Sequence, residues 1–144
     1  MEYSGTTEKL AAAGLRPTRQ RVLLGNLLFS KGHRHVTAES LHKEAKSSNI
    51  DVSLATVYNT LHQFTEAGLL RELMLEGGRS YFDTNTALHY HFLCEDTGTL
   101  VDIPQEHITL ESIPNPPSGM KVNRVDVVIR MGRASGFEDK SQAA

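Results

Sequence analysis

Apolar side chains recur at helical spacing through the first half of the chain and at alternate positions through much of the second. Thr7–Ala13 reads as a short helix that Gly14 ends. Thr18–Ser30, TRQRVLLGNLLFS, predicts a second helix with Val22, Leu23, Leu27 and Leu28 on one apolar face, and Pro17 is placed to open it. Lys31–His35 reads as a loop. Thr37 is an N-cap for a helix over Ala38–Ser47. After a turn at Asn49–Asp51, Ser53 caps a helix over Leu54–Ala67, and Gly68 stops it. Leu54, Val57, Leu61 and Phe64 form its buried stripe.

The period then shortens. Leu70–Leu75 and Arg79–Phe82 read as strands joined by Glu76-Gly77-Gly78, a hairpin with glycine available for positive φ. Helices followed by a two-stranded wing predict a winged helix-turn-helix domain over residues 1–82. The polar, turn-rich Asp83–Leu88 is the expected hinge. In residues 89–133, strands are expected at His91–Cys94, Leu100–Ile103 and Val122–Ile129, with a short helix at Gln105–Ile113 that Asn115–Gly119 breaks. The fold class is therefore α+β, the second part being a small α/β dimerisation and sensing domain with Val122–Ile129 as the dimer edge. Residues 134–144 are small, polar and charged, a composition expected to be disordered.

The net charge of −2 is unevenly spread. Residues 1–80 carry ten Lys/Arg against eight Asp/Glu, while residues 81–144 carry five against nine. The first half suits phosphate contact and the second suits cations. No apolar run approaches the ~20 residues of a membrane span. Met1–Gly14 has no signal-peptide apolar core, so a cytoplasmic protein is expected. The single cysteine, Cys94, rules out an intrachain disulfide and a CxxC zinc clamp, and reads as a small buried hydrophobe.

Opposite its apolar stripe, the helix over Leu54–Ala67 presents Ser53, Ala55, Thr56, Asn59, Thr60 and Gln63, with Tyr58 beside them. Small side chains near its N-terminus let a helix sink into the major groove, where Ser, Thr, Asn and Tyr can meet phosphates or base edges. Taken alone this is an ordinary solvated face; the preceding helix and following wing make it a DNA reader. Arg16, Arg19 and the wing residue Arg79 are candidate phosphate contacts.

His89 and His91 flank Tyr90, and residues i and i+2 of a strand share a face, so both imidazoles can meet one ion. Asp83 before the hinge, His35 in the loop before the third helix, and Asp102 at the end of a strand complete a set of three nitrogens and two oxygens. That set suits iron(II), manganese(II) or zinc rather than calcium. An ion needing ligands from both domains would favour one arrangement of them. His33, His42, His62 and His107 have weaker claims: His62 lies on the reading helix, and His107 is at most an accessory ligand.

The segments GLRPTRQR, HVTAESLH, SLATVYNTLHQFTEAGLL, YFDTN and HYH resemble the ferric uptake regulator family over about Leu10–Met131. Within it, YNTLHQFTEAGLL, YFDTNT and LVDIP are similar to the iron response regulator branch. The resemblance implies a homodimeric DNA-binding regulator and no enzyme. It assigns one Mn²⁺, Fe²⁺ or Zn²⁺ per subunit to His35, Asp83, His89, His91 and Asp102, and places Tyr58 and its neighbours in the major groove. It further implies an AT-rich inverted-repeat operator and control of iron and haem homeostasis genes. Two departures stand out. Thr97 occupies the partner position of Cys94, so the family's structural zinc is not expected, and Leu88 and Tyr90 flank the histidines where a second site would need ligands. The branch senses haem, which makes His89 and His91 candidate haem ligands, although Tyr90 interrupts the branch's three consecutive histidines and its N-terminal Cys-Pro motif is missing. A peroxide sensor that oxidises a ligand histidine is the alternative within the family. A His/carboxylate metalloenzyme is the alternative outside it, and it leaves the reading helix unexplained.

Overall fold

A computed structural model of the chain describes residues 2–75 and 78–134. Four helices come first: α1 (Glu2–Ala12), α2 (Arg19–Phe29), α3 (Ala38–Ser47) and α4 (Leu54–Glu66). Between α2 and α3 runs β1 (His35–Val36), and after α4 come β2 (Arg71–Met74) and β3 (Ser80–Asp83). Then follow β4 (His89–Cys94), β5 (Leu100–Pro104) and β6 (Val128–Met131). The chain divides into two units, Met1–Thr86 and Ala87–Ala144. The expected disordered tail lies, from residue 135 on, outside the described residues, as do Glu76 and Gly77 of the wing turn.

Side-chain caps fix where the helices of the first unit begin. The Thr18 hydroxyl accepts from the Arg21 amide, Thr37 and Ser40 form a reciprocal capping box, and Ser53 accepts from the Thr56 amide at 3.1 Å. Each such cap contributes about 1 kcal/mol. Their apolar faces close on one core that includes Leu10, Leu24, Leu41, Leu61, Phe64 and Phe82. Three strands complete the unit in the order β1-β3-β2, all antiparallel. Helices followed by the β2–β3 hairpin make a winged helix-turn-helix.

Several expectations change. The first helix starts at Glu2 rather than Thr7. Pro17 precedes the Thr18 cap instead of opening α2. The buried face of α2 is Leu24, Gly25 and Leu28, while Val22, Leu23 and Leu27 are only half-buried. Gly25 accounts for this shift: lacking a side chain, it lets α1 approach there, so the stripe centres on it. In α4, Leu54 at the first turn is 40% exposed and Thr60 is buried, so the stripe is Val57, Thr60, Leu61 and Phe64. The segment before α3 is not all loop, because His35 and Val36 pair with Asp83 and Phe82. Asp83 ends a strand rather than opening a hinge.

In the second unit, β4 lies between antiparallel β5 and parallel β6. Tyr90 faces Ile103 and Leu93 faces Leu100 across the β4–β5 ladder, and all four are buried. The strand expected at Val122–Ile129 is shorter and later, because only Val128–Met131 runs alongside β4. The expected helix at Gln105–Ile113 is a single 3-10 turn, Gln105–His107. Ile108, Thr109 and Ile113 are β-branched and Pro114 follows, which disfavours helix over the rest.

The tight α1–α2 approach can be tested directly. A Cβ built on Gly25 falls 2.6 Å from the Thr6 Cγ2, whereas one on Gly5 meets nothing within 4 Å. Thr6 is itself buried and donates its hydroxyl to the Asn26 side chain, so it cannot swing aside freely. Gly25→Ala is expected to lose about 1–2 kcal/mol, overpacking outweighing the gain in helix propensity. Gly5→Ala is expected to be neutral or stabilising. Urea unfolding of the two variants beside the parent checks both signs.

Candidate metal and nucleic-acid sites

In the first unit, antiparallel pairing sets His35 directly opposite Asp83. The His35 Nε2 lies 3.3 Å from the Asp83 Oδ2. The other carboxylate oxygen, Oδ1, accepts from the Asn85 amide at 2.9 Å in an Asx turn, which fixes the carboxylate plane. Asp83 is almost wholly buried and His35 is partly exposed.

The second unit repeats the device. His91 pairs directly with Asp102, and His89 lies two residues along the same face of β4. The Asp102 Oδ1 is 3.4 Å from the Nε2 of each histidine, and the three ligand atoms lie within 4.8 Å of one another. The His89 Nδ1 donates to the Ala87 carbonyl at 2.7 Å. A carbonyl only accepts, so in the neutral ring the lone pair sits on Nε2, facing Asp102. A backbone carbonyl holding the far nitrogen is the usual outer support of a metal-bound histidine. Asp102 lies inside β5 rather than at its end, opposite His91.

This chemistry fits a divalent ion. Donor atoms 3.3–3.4 Å apart match an edge of a coordination shell with ligand distances of ~2.1 Å. Imidazole nitrogens and carboxylate oxygens suit manganese, iron or zinc. Both histidines of β4 are buried, where polar groups need partners.

On α4, Ala55, Tyr58 and Asn59 are exposed, as are Arg16, Arg19 and Arg79. The Ser53 and Thr56 hydroxyls are bonded to each other at 2.9 Å, so both serve the helix cap. Tyr58 leans on His62, with ring centroids 4.9 Å apart, and both meet the buried Phe82 edge-on. His62 therefore packs. The Arg79 guanidinium donates to the Tyr81 phenol oxygen at 3.4 Å, which raises its pKa further. Thr60, expected on the reading face, belongs to the core.

Sequence reasoning missed two arginines that brace these surfaces. Arg21 donates twice to the Gln63 side-chain carbonyl of α4, at 3.0 and 3.2 Å, and once to the Arg16 carbonyl at 2.9 Å. Arg34, beside His35, grips Glu44 of α3. Nothing in residue spacing distinguishes either from a solvated charge, since their partners are 42 and 10 residues away. Cys94 is half-exposed rather than buried, and a hydrogen bond with the Thr97 hydroxyl lowers its pKa.

The model of the ferric uptake regulator family matches residues 12–129. The chain belongs to this family. The peroxide-responsive repressor PerR of Staphylococcus aureus (strain Mu50 / ATCC 700699) is 37% identical over 101 residues, covering 70% of this chain and 68% of that protein. The ferric uptake regulator of Pseudomonas aeruginosa, solved with manganese, aligns with a TM-score of 0.67 at 29% identity, over 89% of this chain and 97% of that one. The ferric uptake regulator of Vibrio cholerae aligns with a TM-score of 0.70 at 26% identity, over 88% and 98%. As a member of the ferric uptake regulator family, the chain is a DNA-binding transcription regulator and not an enzyme. Among the described residues, no helix is long and apolar enough to cross a membrane.

Glu44 carries a pH prediction. Its carboxyl is held below the ordinary carboxylate range, chiefly by its hydrogen bond from Arg34 and against the opposing effect of burial. A depressed folded pKa means its contribution is complete above the unfolded carboxylate pKa and is lost as pH falls through the folded one. Glu44→Gln is therefore expected to be less stable than the parent near neutrality, the gap closing on acidification. Urea unfolding of both chains from about pH 7 to about pH 3 measures it, and a gap independent of pH would contradict the assignment.

Proposed function

We propose that this regulator controls iron and haem homeostasis genes in response to one divalent ion per subunit, Mn²⁺ or Fe²⁺ with Zn²⁺ as the alternative, held by His35, Asp83, His89, His91 and Asp102. The observation that carries the reading is the doubled device: a histidine and an aspartate directly opposed across a ladder in each unit, with backbone groups holding the Asp83 carboxylate and the ring of His89 beside the second pair. Bound there, the ion would supply the positive charge that the carboxylates and imidazoles are set to receive. The chain's own part is to present Nε2 and carboxylate oxygens already oriented. An ion that takes ligands from both pairs favours whichever arrangement of the DNA-binding domain brings them together, and a ligand shifts an equilibrium only by that difference in affinity.

DNA recognition is assigned to Ser53, Ala55, Thr56, Tyr58 and Asn59 on α4, with Arg16, Arg19 and Arg79 on phosphates. A homodimer presenting two equivalent readers calls for an inverted repeat, taken as AT-rich. Exposed apolar side chains of the second unit, including Ile113, Met120, Val122 and Ile129, supply the surface for pairing two copies. Haem, through His89 or His91, is the proposed signal that releases DNA.

A second reading is favoured by the similarity to the S. aureus peroxide-responsive repressor: iron at the same residues would direct peroxide oxidation onto a ligand histidine. The two readings separate in one set of measurements. Fluorescence anisotropy of the manganese-loaded chain on an AT-rich inverted-repeat duplex, titrated with haem at fixed salt, is expected to show release near one haem per subunit. His89→Ala/His91→Ala is expected to abolish both the manganese dependence and the haem response. Release that ignores haem, together with a histidine heavier by one oxygen after iron loading and peroxide, would instead make this a peroxide sensor. Arg19→Ala is expected to weaken binding to all duplexes alike and to lower the salt slope by about one, whereas Asn59→Ala is expected to relax base preference.

A further inference from the structure

His35 sits on a strand of two residues, which pairs with Phe82 and Asp83 of β3. The residue before it does more. The Arg34 Nη1 donates to the Leu27 carbonyl at 2.9 Å and to the Glu44 Oε1 at 3.0 Å, and its Nη2 donates to the Glu44 Oε2. Its backbone is pinned as well: the Arg34 amide donates to the Thr84 Oγ1 at 2.9 Å, and the Thr84 amide donates back to the Arg34 carbonyl at 3.0 Å. Thr84 is the residue after Asp83. The His35–Asp83 pair is thus flanked on its outer side by a closed Arg34–Thr84 pair, and that pair is tied to α2 through Leu27 and to α3 through Glu44.

We propose that Arg34, braced by Glu44 and the Leu27 carbonyl, is the positioning residue of the His35–Asp83 half of the metal centre and couples that half to helices α2 and α3. This rests on the ligand assignment above. A guanidinium gripping both oxygens of a carboxylate forms a planar, directional contact that an ammonium cannot reproduce. The pair is mostly shielded, with side chains 22% and 28% exposed, so solvent screens it less than a surface pair. Lys31 also approaches Glu44, at 3.5 Å, but is 61% exposed and supplies charge without the fork. Loss of Arg34 would therefore leave Glu44 partly neutralised while releasing the α2 and α3 ties. It removes a positive charge as well as the orienting fork, and Arg34→Lys, which keeps the charge, isolates the fork.

The test is a double-mutant cycle on the full chain, stripped of metal and titrated with MnCl₂ in a calorimeter. Arg34→Met is expected to weaken manganese binding by about tenfold, the scale of losing an outer-shell support, and Arg34→Lys to restore only part of it. In a His35→Ala background, Arg34→Met is expected to cost clearly less, because one of the two residues it positions is gone. In the metal-free chain, amide exchange at Thr84 is expected to accelerate in Arg34→Met, a readout independent of any ion. Manganese affinity unchanged in Arg34→Met, or an equal loss with and without His35, overturns the proposal. If circular dichroism shows Arg34→Met unfolded, Arg34→Lys and Glu44→Gln carry the same cycle. A His35→Ala chain that binds manganese like the parent would remove the ligand assignment itself, and the proposal with it. That outcome is distinct from a His35 that matters while Arg34 does not.

Discussion

Strand register is the constraint on which both candidate ligand pairs depend. Pairing sets His35 against Asp83 in one sheet and His91 against Asp102 in the other. Because side chains alternate faces along a strand, a slip of one residue in either ladder would turn the ligand away from its partner. The same register buries Phe82 beside Asp83, and Tyr90 and Leu93 around His91. The apolar neighbours therefore hold the ligands in register: undoing either pair by slippage would also expose core side chains.

That arrangement makes the sensing chemistry inexpensive to preorganise. Backbone groups do the orienting at little conformational cost, the Ala87 carbonyl on the His89 ring and the Asn85 amide on the Asp83 carboxylate. Around α4 a similar economy applies. Ser53 and Thr56 cap the helix they belong to, and Arg21 ties Gln63 of α4 to the Arg16 carbonyl, so a candidate phosphate contact is held to α4. Tyr58 rests on His62 and Phe82, so the exposed face of α4 leans on the strand that ends in Asp83.

Much of the first unit was legible in the chain because its signals are local. Thr37 and Ser53 mark helix starts through hydrogen bonds spanning three residues, and Gly68 adopts positive φ just past α4. In α4 and β6, where sequence reading erred, packing or pairing with distant segments decided. Leu54 has the right period for the stripe but stands in a first turn the core does not reach, and Thr60 takes the buried place. Val122–Ile129 has the composition of a strand, yet a strand exists only where a partner edge runs, and β4 meets it from Val128 onward.

The ligand set follows the same division. Residue types and the His-x-His spacing named five residues, since imidazole and carboxylate are the donors such ions take and the period of two is a property of any strand. Tertiary structure alone put His35 into a strand opposite Asp83, moved Asp102 to the middle of β5 opposite His91, and enlisted Arg34 and Glu44 around the first pair. The physical reason is range. Caps, turns and periodicity are written within a few residues of one another, so the sequence by itself determined them. Which histidine faces which aspartate, and which arginine braces it, depends on ladders and packing between segments tens of residues apart, and only the folded chain brings those together.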